Sequence, residues 1–376
     1  MPSINRERLK KLNSIEEKRF LDLHPKSGAL FEKAKGVMPG GVPMSWMAKW
    51  PGAYPVFVES AAGSHFTDVD GNKYIDFCLG DTGSMTGHSP AATVAAITEQ
   101  MKHGFTSMLP TEDAVIVSLE LANRFGLPLW QFTVTATDAN RHTIRYCRLI
   151  TGKSKIIVID KCYHGSVDET FATLDANGNT IKREGNLGAP VDLDQTTRVV
   201  EFNDLAGMEA ALAKGDVAAI LMEPAMTNVG IVLPEDGYLV AVQDLAKKYG
   251  ALLIIDETHT ISVGPGGMTL DLGLKPDFLT IGKAIAGGIP VGTFGMTEDV
   301  ANSIKKLVEL EIIDTGGIGS TLAGNAMSLA AMRATLSEVL TEDAFKSMIA
   351  LGDRWSDGVD AAIAEFDLDW HCNRLG

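Results

Sequence analysis

The sequence predicts an α/β fold in which a seven-stranded, mostly parallel sheet is flanked by helices. In the middle of the chain, short apolar runs of strand length alternate with amphipathic stretches of helical length, and such alternation is typical of parallel sheets. Residues 251–255 are apolar without interruption, which indicates a strand buried on both faces. The composition agrees with a globular protein, because 45% of the residues are hydrophobic and 22% are charged.

The predicted elements follow one another in an order that supports this fold. Near the N-terminus, residues 54–59, 64–68 and 73–77 predict three short antiparallel strands, with a turn at Asp70-Gly71-Asn72. The seven strands of the large sheet are predicted at residues 131–135, 155–160, 198–202, 217–222, 251–256, 277–281 and 291–296. Helices are predicted at residues 138–150, 205–214, 238–249, 326–339 and 342–365, and residues 370–376 predict the start of a further strand.

Length, charge and cysteine use exclude several classes of protein. A chain of 376 residues corresponds to roughly two to three domains. A net charge of −15 without a basic stripe argues against nucleic acid and anionic membranes as partners. No apolar run approaches the ~20 residues that span a bilayer, and the first residues lack the apolar core of a secretory signal. The four scattered cysteines predict reduced thiols in a cytoplasmic protein, without disulfides or a metal site.

The residues that follow the predicted parallel strands are candidates for a ligand site. Asp256 follows a buried strand, so its carboxylate needs a partner. One alternative is a structural partner, which would be a helix N-terminus or the cation of a salt bridge. The other is a cationic atom of a ligand. Lys283 follows the next strand among small apolar residues. It is either an ordinary solvated lysine or a desolvated amine that attacks a carbonyl carbon, as in Schiff-base chemistry.

Other strands end in weaker candidates. Ala136 and Thr137 lie in the turn that leads into the helix predicted at residues 138–150. The free N–H groups and dipole of that helix start suit a phosphate, although an ordinary capped helix explains these residues equally well. Glu223 and Asn228 place polar groups after another strand, and Tyr163 places a ring that could stack on a planar ligand. Each of these residues, taken alone, is also explained by packing. Their convergence on one edge of one sheet indicates a binding site.

The ordered motifs of the chain identify a family resemblance. The motifs are Asp68-Val69-Asp70-Gly71-Asn72-Lys73-Tyr74-Ile75-Asp76, Gly87-His88-Ser89-Pro90, Tyr163-His164-Gly165, Glu223-Pro224, Asp256-Glu257, Thr280-Ile281-Gly282-Lys283, Gly319-Ser320-Thr321 and Gly324-Asn325. With them the chain resembles the class III, fold type I, pyridoxal-phosphate-dependent aminotransferases over nearly its whole length. It is most similar to the branch that contains glutamate-1-semialdehyde aminomutase and the β-amino-acid aminotransferases.

The resemblance implies that pyridoxal 5′-phosphate is the cofactor and assigns roles to the matching residues. Lys283 is expected to form the aldimine with the cofactor and, once freed, to move the proton between substrate carbon and cofactor. Asp256 is expected to keep the pyridine nitrogen protonated. Tyr163 is expected to stack on the ring, and Ala136 and Thr137 to bind the phosphate through the helix start.

Further roles follow from the same resemblance. Thr321 is expected to reach the phosphate of the neighbouring subunit, which implies a homodimer with the active site at its interface. Glu223 and Asn228 match positions that line the cofactor site. Thr258 stands where the family usually has a valine that packs on the ring, and His259 replaces the usual Gln or Met.

The substrate side departs from the family pattern. Near residues 42–50, glutamate-1-semialdehyde aminomutase carries an arginine for the substrate carboxylate, whereas this sequence offers Trp46 or Met47. Together with Met85 and Met108, these residues predict an apolar substrate pocket, although core or dimer-interface packing would also explain them. This departure argues against the aminomutase.

The expected activity is transfer of an amino group from an amine or β-amino acid to a keto-acid acceptor, in a two-step ping-pong cycle. The alternative on the same fold is an aminomutase, racemase or decarboxylase. His164 is expected to be structural, and Arg374 is a candidate for binding the acceptor carboxylate. The resemblance divides the chain into an N-terminal segment (1–79), a large cofactor domain (80–310) and a C-terminal part (311–376). The resemblance implies that the two end segments form a small α+β domain, which is expected to be truncated.

Overall fold

The computed structural model describes residues 5–307 and 318–376. Its strands are β1 (Val58–Ala62), β2 (His65–Asp68), β3 (Lys73–Ile75), β4 (Leu129–Thr133), β5 (Lys155–Ile159), β6 (Ala172–Leu174), β7 (Thr180–Lys182), β8 (Thr197–Val200), β9 (Val217–Met222), β10 (Leu252–Asp256), β11 (Phe278–Gly282) and β12 (Gly292–Met296). Its α-helices are α1 (Arg6–Leu23), α2 (Pro25–Ala34), α3 (Ala91–Gln100), α4 (Glu112–Phe125), α5 (Ala136–Thr151), α6 (Leu205–Leu212), α7 (Tyr238–Tyr249), α8 (Gly267–Asp271), α9 (Glu298–Leu307), α10 (Ala326–Ala334) and α11 (Glu342–Glu365).

Seven strands form one sheet in the order β4-β12-β11-β10-β9-β5-β8. The run from β8 to β11 is parallel, and β12 is antiparallel to both of its neighbours. All seven predicted strands are found in this sheet, with bounds that differ from the prediction by at most two residues. The predicted fold class, a mostly parallel seven-stranded sheet flanked by helices, is therefore confirmed.

The sheet is buried on both faces, because alternate side chains of its strands enter different cores. In β11, Phe278 belongs to the core that includes β5, β9 and α7, whereas Leu279 and Ile281 belong to the core that includes α4 and α10. All six residues of β9 are buried. This two-sided packing explains the uninterrupted apolar runs in the sequence.

Helix α5 starts at the carboxyl edge of the sheet because its first turn is capped there. Thr135 has extended backbone, and its hydroxyl accepts a hydrogen bond from the Asp138 N–H at 3.2 Å, as an N-cap residue does. The helix ends at Gly152, which adopts the left-handed backbone (φ 67°) that terminates helices without strain in glycine. The free N–H groups of the first turn therefore face the ends of the strands.

Several features differ from the sequence prediction: β1 starts four residues later than predicted, and helices α3 and α4 were not predicted. A short antiparallel hairpin, β6–β7, was not predicted. The strand predicted at residues 370–376 was wrong, since this segment has no regular secondary structure. Its side chains bond to loops and helices instead: Asn373 Nδ2 donates to the Ile231 carbonyl at 2.5 Å, and Arg374 binds carboxylates of α11. A β-strand forms only where its backbone N–H and C=O groups bond to those of a neighbouring strand. The segment 370–376 makes its contacts through side chains instead, so it is not a strand.

The small N-terminal sheet, β1-β2-β3, is antiparallel, as predicted. The division into residues 1–79, 80–310 and 311–376 stays a prediction, and its second boundary lies outside the described residues. Within the described part of the chain, none of the helices combines the length and apolarity that a membrane crossing requires.

Candidate active site

A cavity of about 300 Å³ lies at the carboxyl edge of the large sheet. Segments that follow β4, β5, β9, β10 and β11 converge on it, as expected for a sheet whose parallel strands end at one edge. Seven of the predicted site residues line it: Ala136, Thr137, Tyr163, Glu223, Asp256, Thr258 and Lys283. The sheet therefore brings together residues that lie up to 147 positions apart in the chain.

Asp256, the last residue of β10, is 3% exposed. His164 Nδ1 and Asn140 Nδ2 each lie 2.9 Å from its Oδ2, and the Thr258 N–H donates to its Oδ1 at 3.0 Å. Burial by itself raises the pKa of this carboxyl, but the hydrogen bond and charge of His164, with the bonds from Thr258 and Asn140, outweigh it and lower the pKa to about 2. Asp256 is thus a buried carboxylate that stays ionised.

The partners of Asp256 are themselves held in place. Thr280 Oγ1 donates to Asn140 Oδ1 at 2.7 Å, which turns the amide so that its Nδ2 faces the carboxylate. Burial lowers the pKa of His164, but neighbouring Cys162 and the hydrogen bond and charge of Asp256 outweigh it, so that the pKa is raised. Among the described residues His164 Nε2 is buried without a hydrogen-bond partner. The structure thus gives His164 a place in the site itself.

Lys283 follows β11 directly and has left-handed backbone, with φ at 52°. Residues with a side chain rarely adopt this conformation, and it is found where surrounding structure imposes it. Its Nζ lies 2.8 Å from Asp81 Oδ2 and 2.5 Å from His259 Nε2. Burial raises the pKa of Asp81, but the hydrogen bond and charge of Lys283 outweigh it and hold that pKa low. The amine therefore faces the cavity between two acceptors.

The start of α5 forms an anion site beside the loop that follows β5. Thr137 Oγ1 accepts a hydrogen bond from the Ser166 N–H at 3.1 Å, so its own proton is free to point elsewhere. Gly165 has φ at 76°, and a Cβ on it would collide with the Thr137 side chain. Glycine at this position lets the loop approach the helix start closely enough to form the cradle.

Glu223 and Tyr163 also line the cavity. Burial raises the pKa of Glu223 to about 7, although the charge of His164 and bonds from Thr227 act in the opposite direction. The Thr227 hydroxyl donates to Glu223 Oε2 at 2.5 Å. Tyr163 is 37% exposed and presents its ring to the cavity.

Six predicted site residues lie elsewhere in this chain. They are Asn228, Thr321, Trp46, Met47, Met85 and Met108, none of which lines the cavity among the described residues. Met85 packs against a core, and the other five are exposed. Arg374 is bound by Asp357 and Asp360, each at 2.7 Å. The roles assigned to these residues stay predictions, since a single chain does not test contacts with a partner.

Four residues of the site were not predicted as site residues: Asp81, Asn140, His164 and His259. Asn140 lies one helical turn after Ala136, a spacing that places both on the inner face of α5. His259 had a signal, because it departs from the family pattern three residues after Asp256. Asp81 belongs to a loop distant in sequence, and only the tertiary structure brings it to Lys283.

The cavity fits pyridoxal 5′-phosphate in size and in chemistry. It offers a helix start for the phosphate, an ionised carboxylate for a protonated ring nitrogen, a primary amine for the aldehyde and a tyrosine ring for the ring face. The buried, unpartnered His164 Nε2 and Thr258 Oγ1 are polar atoms at the wall that a bound group could satisfy. Among the described residues, no cluster of three or more His, Cys, Asp or Glu side chains could hold a metal ion.

Comparisons with known proteins agree with this chemistry. A family profile described as aminotransferase class-III matches residues 46–365. Glutamate-1-semialdehyde 2,1-aminomutase of Anaeromyxobacter dehalogenans (strain 2CP-C) is 35% identical over 357 residues, which are 93% of this chain and 81% of the relative. A crystal structure of a glutamate-1-semialdehyde-aminomutase from Pseudomonas aeruginosa PAO1 has 47% identity and a TM-score of 0.96, covering 99% of this chain and 83% of that one.

Two further structures extend the comparison. A variant of the Pseudomonas aminomutase in complex with PMP matches at 46% identity with a TM-score of 0.96, covering 99% of this chain and 83% of that one. An omega-transaminase from Sphaerobacter thermophilus has 27% identity and a TM-score of 0.84, covering 93% of this chain and 81% of that one. Similarity to the aminomutases is thus greater than similarity to this transaminase.

Proposed function

Because the chain belongs to the class III aminotransferase family and its cofactor is pyridoxal 5′-phosphate, we propose that it is an aminomutase. Such an enzyme moves an amino group between neighbouring carbons of one substrate. The main support for this proposal is that the chain is 47% identical to an aminomutase but only 27% identical to a transaminase of the same fold. The sequence-based expectation of transfer to a separate keto acid is thereby the less favoured of the two activities.

The residues of the cavity take the following parts in this proposal. When bound, the cofactor supplies an aldehyde that condenses with amines and a ring that takes up the electron pair left on a carbon. The Lys283 amine holds the aldehyde and, when free, carries protons to and from the substrate carbons. Asp256, ionised because its pKa is about 2, keeps a proton on the ring nitrogen. Ala136 and Thr137 bind the phosphate, and Tyr163 covers the ring.

The decisive experiment is conversion without a partner substrate. The holoenzyme is incubated with glutamate-1-semialdehyde and no keto acid, and reactant and products are followed by chromatography and mass spectrometry. An aminomutase converts the semialdehyde into an isomer of equal mass, in which the amino group has moved from carbon 2 to carbon 1. Loss of the amino group without formation of that isomer would overturn the proposal.

The second candidate function is the aminotransferase, and one specific observation favours it. Trp46 and Met47 occupy the segment in which the aminomutase resemblance leads us to expect an arginine, and they are 59% and 43% exposed. An apolar surface there suits an aromatic amine or β-amino acid better than a second carboxylate. The test is a panel of such donors with a keto acid: a transaminase consumes donor and acceptor in equal amounts and is inactive without the acceptor.

We further propose that the working unit is a cytoplasmic homodimer whose interface completes the site. Support comes from Thr321, which is exposed and lies outside the cavity of its own chain, although the resemblance assigns it to phosphate binding. The exposed Trp46 and Met108 would likewise gain burial in an interface. Sedimentation equilibrium gives the mass, and Thr321→Ala is expected to weaken cofactor binding without changing that mass. A stable, cofactor-loaded monomer would refute the interface.

A further inference from the structure

The Lys283 amine lies between two side chains that the proposed function does not use. These are Asp81, in the segment after β3, and His259, in the segment after β10, at 2.8 and 2.5 Å from Nζ. Three parts of the chain, separated by up to 202 positions, thus converge on one nitrogen. Asp81 and Lys283 both have left-handed backbone, with φ at 57° and 52°. Such conformations persist where the surrounding structure imposes them, commonly at functional sites.

The His259 ring is oriented from its other side. Its Nδ1 lies 2.8 Å from Thr82 Oγ1 and its Nε2 2.5 Å from Lys283 Nζ. An ammonium can only donate, so Nε2 must present its lone pair to Lys283. The ring proton then sits on Nδ1 and is donated to the Thr82 hydroxyl. His259 is therefore held as the one tautomer that can receive a proton from the lysine.

The charges around His259 favour its neutral form. Lys283, Asp81, Asp256 and His164 are the charged groups that face it. Burial, followed by the charge of Lys283, lowers the pKa of His259 below its ordinary value of 6.5, while the two carboxylates act in the opposite direction. At neutral pH the ring is thus an available acceptor.

We propose that His259 is a catalytic residue that takes a proton from Lys283, with Asp81 as the residue that balances the charge. The proposal rests on the proposed role of Lys283 as the amine that bonds to the cofactor aldehyde. In the step, an N–H bond of the lysine ammonium breaks and an Nε2–H bond forms on His259. The lysine keeps the electron pair as a neutral amine, which can attack a carbonyl carbon. The positive charge moves from Lys283 to the imidazolium and remains close to Asp81.

The experiment measures how fast Lys283 reacts, independently of turnover. Full-length chain freed of cofactor is mixed with pyridoxal 5′-phosphate at pH values from about 5 to 9. The mixture is quenched with borohydride, and the modified Lys283 peptide is quantified by mass spectrometry. In the wild type, the rate is expected to fall as the pH drops through the pKa of His259, below 6.5. Below that pKa the ring already carries the proton.

The variants separate a proton acceptor from a structural side chain. His259→Gln can still form hydrogen bonds but cannot hold a proton, so the rate is expected to fall about 10²-fold and the acidic inflection to disappear. Added imidazole is expected to restore the rate of His259→Ala. Asp81→Asn should move the inflection to lower pH, because Asp81 raises the pKa of His259. His103→Gln, at an exposed histidine, is the matched control.

The outcomes are distinguishable. Failure of wild-type Lys283 to be captured would overturn the proposed function. Normal capture with an unchanged rate and pH profile in His259→Gln would overturn this inference alone. If His259→Gln does not fold, as judged by circular dichroism, Thr82→Val decides, since it removes only the Nδ1 partner. A several-fold slower capture in Thr82→Val supports the proposal, and the wild-type rate contradicts it.

Discussion

Replacing His164 with leucine tests the electrostatic structure of the site most directly. The substitution removes the imidazolium that lies 2.9 Å from Asp256 and leaves the carboxylate 3% exposed, with Asn140 and Thr258 as remaining donors. Leucine fills a similar volume, so the cavity term is small. The expected loss of stability therefore comes from a buried charge that has lost its counter-ion.

The magnitude follows from the pKa of Asp256, which the folded protein lowers from 3.8 to about 2. A difference of that size corresponds to about 2.5 kcal/mol of stability, and breaking a buried ion pair typically costs about 3–5 kcal/mol. Because the folded pKa is depressed, this stability is present above pH 3.8 and is lost as the pH falls through 2. His164, whose pKa is raised, contributes fully below pH 6.5. Near pH 6 the contributions of ionised Asp256 and protonated His164 are both present. We therefore expect His164→Leu to lower the free energy of unfolding by about 3 kcal/mol at this pH.

The assay is urea unfolding of the cofactor-free protein, so that cofactor affinity does not enter the result. The difference between wild type and His164→Leu should be largest near pH 6. The difference should narrow toward pH 4. Without His164, Asp256 of the folded variant takes up a proton in this range, whereas Asp256 of the wild type, with its low pKa, stays ionised. His103→Leu, at an exposed position, is expected to change stability by less than ~0.5 kcal/mol. A difference below ~1 kcal/mol at pH 6, or one that is constant down to pH 4, would refute the reasoning.

Three further predictions concern the amine, the phosphate cradle and the second carboxyl. Lys283→Ala should abolish borohydride-stable attachment of the cofactor, measured by intact mass, and persistence of the adduct would reassign the lysine. Gly165→Ala places a Cβ against Thr137 at a φ of 76°. It should cost about 1–3 kcal/mol of unfolding free energy and weaken cofactor binding in a fluorescence titration; unchanged affinity would contradict the cradle. Glu223 has its pKa raised from 4.5 to about 7, so the wild type loses stability as the pH rises from 4.5 through 7. Glu223→Gln should remove this loss of stability, which amounts to about 3 kcal/mol at pH 8. If urea unfolding showed the same pH dependence of stability in Glu223→Gln as in the wild type, the prediction would be wrong.

The local sequence was sufficient to predict the elements of the large sheet and the residues at their ends. Its strands are buried on both faces, so the apolar runs are unbroken and their limits visible; β9 was predicted to the residue. Strand ends in such sheets share one edge, which is why Asp256, Lys283 and Tyr163 could be placed in one site before any geometry was known. The β6–β7 hairpin escaped prediction because its three-residue strands are too short to show a period.

What only the tertiary structure decided is the state of the reactive groups. Asp256 is ionised because His164 and Asn140, from other elements, face it in a buried place. The same folding sets Asp81 and His259 on either side of Lys283. Electrostatic and hydrogen-bond energies depend on distances of a few ångströms and on exclusion of water. Residue spacing along the chain carries neither quantity. The amino-acid sequence therefore determined which chemical groups meet at the sheet edge, and the packing of the loops determined which of them hold protons.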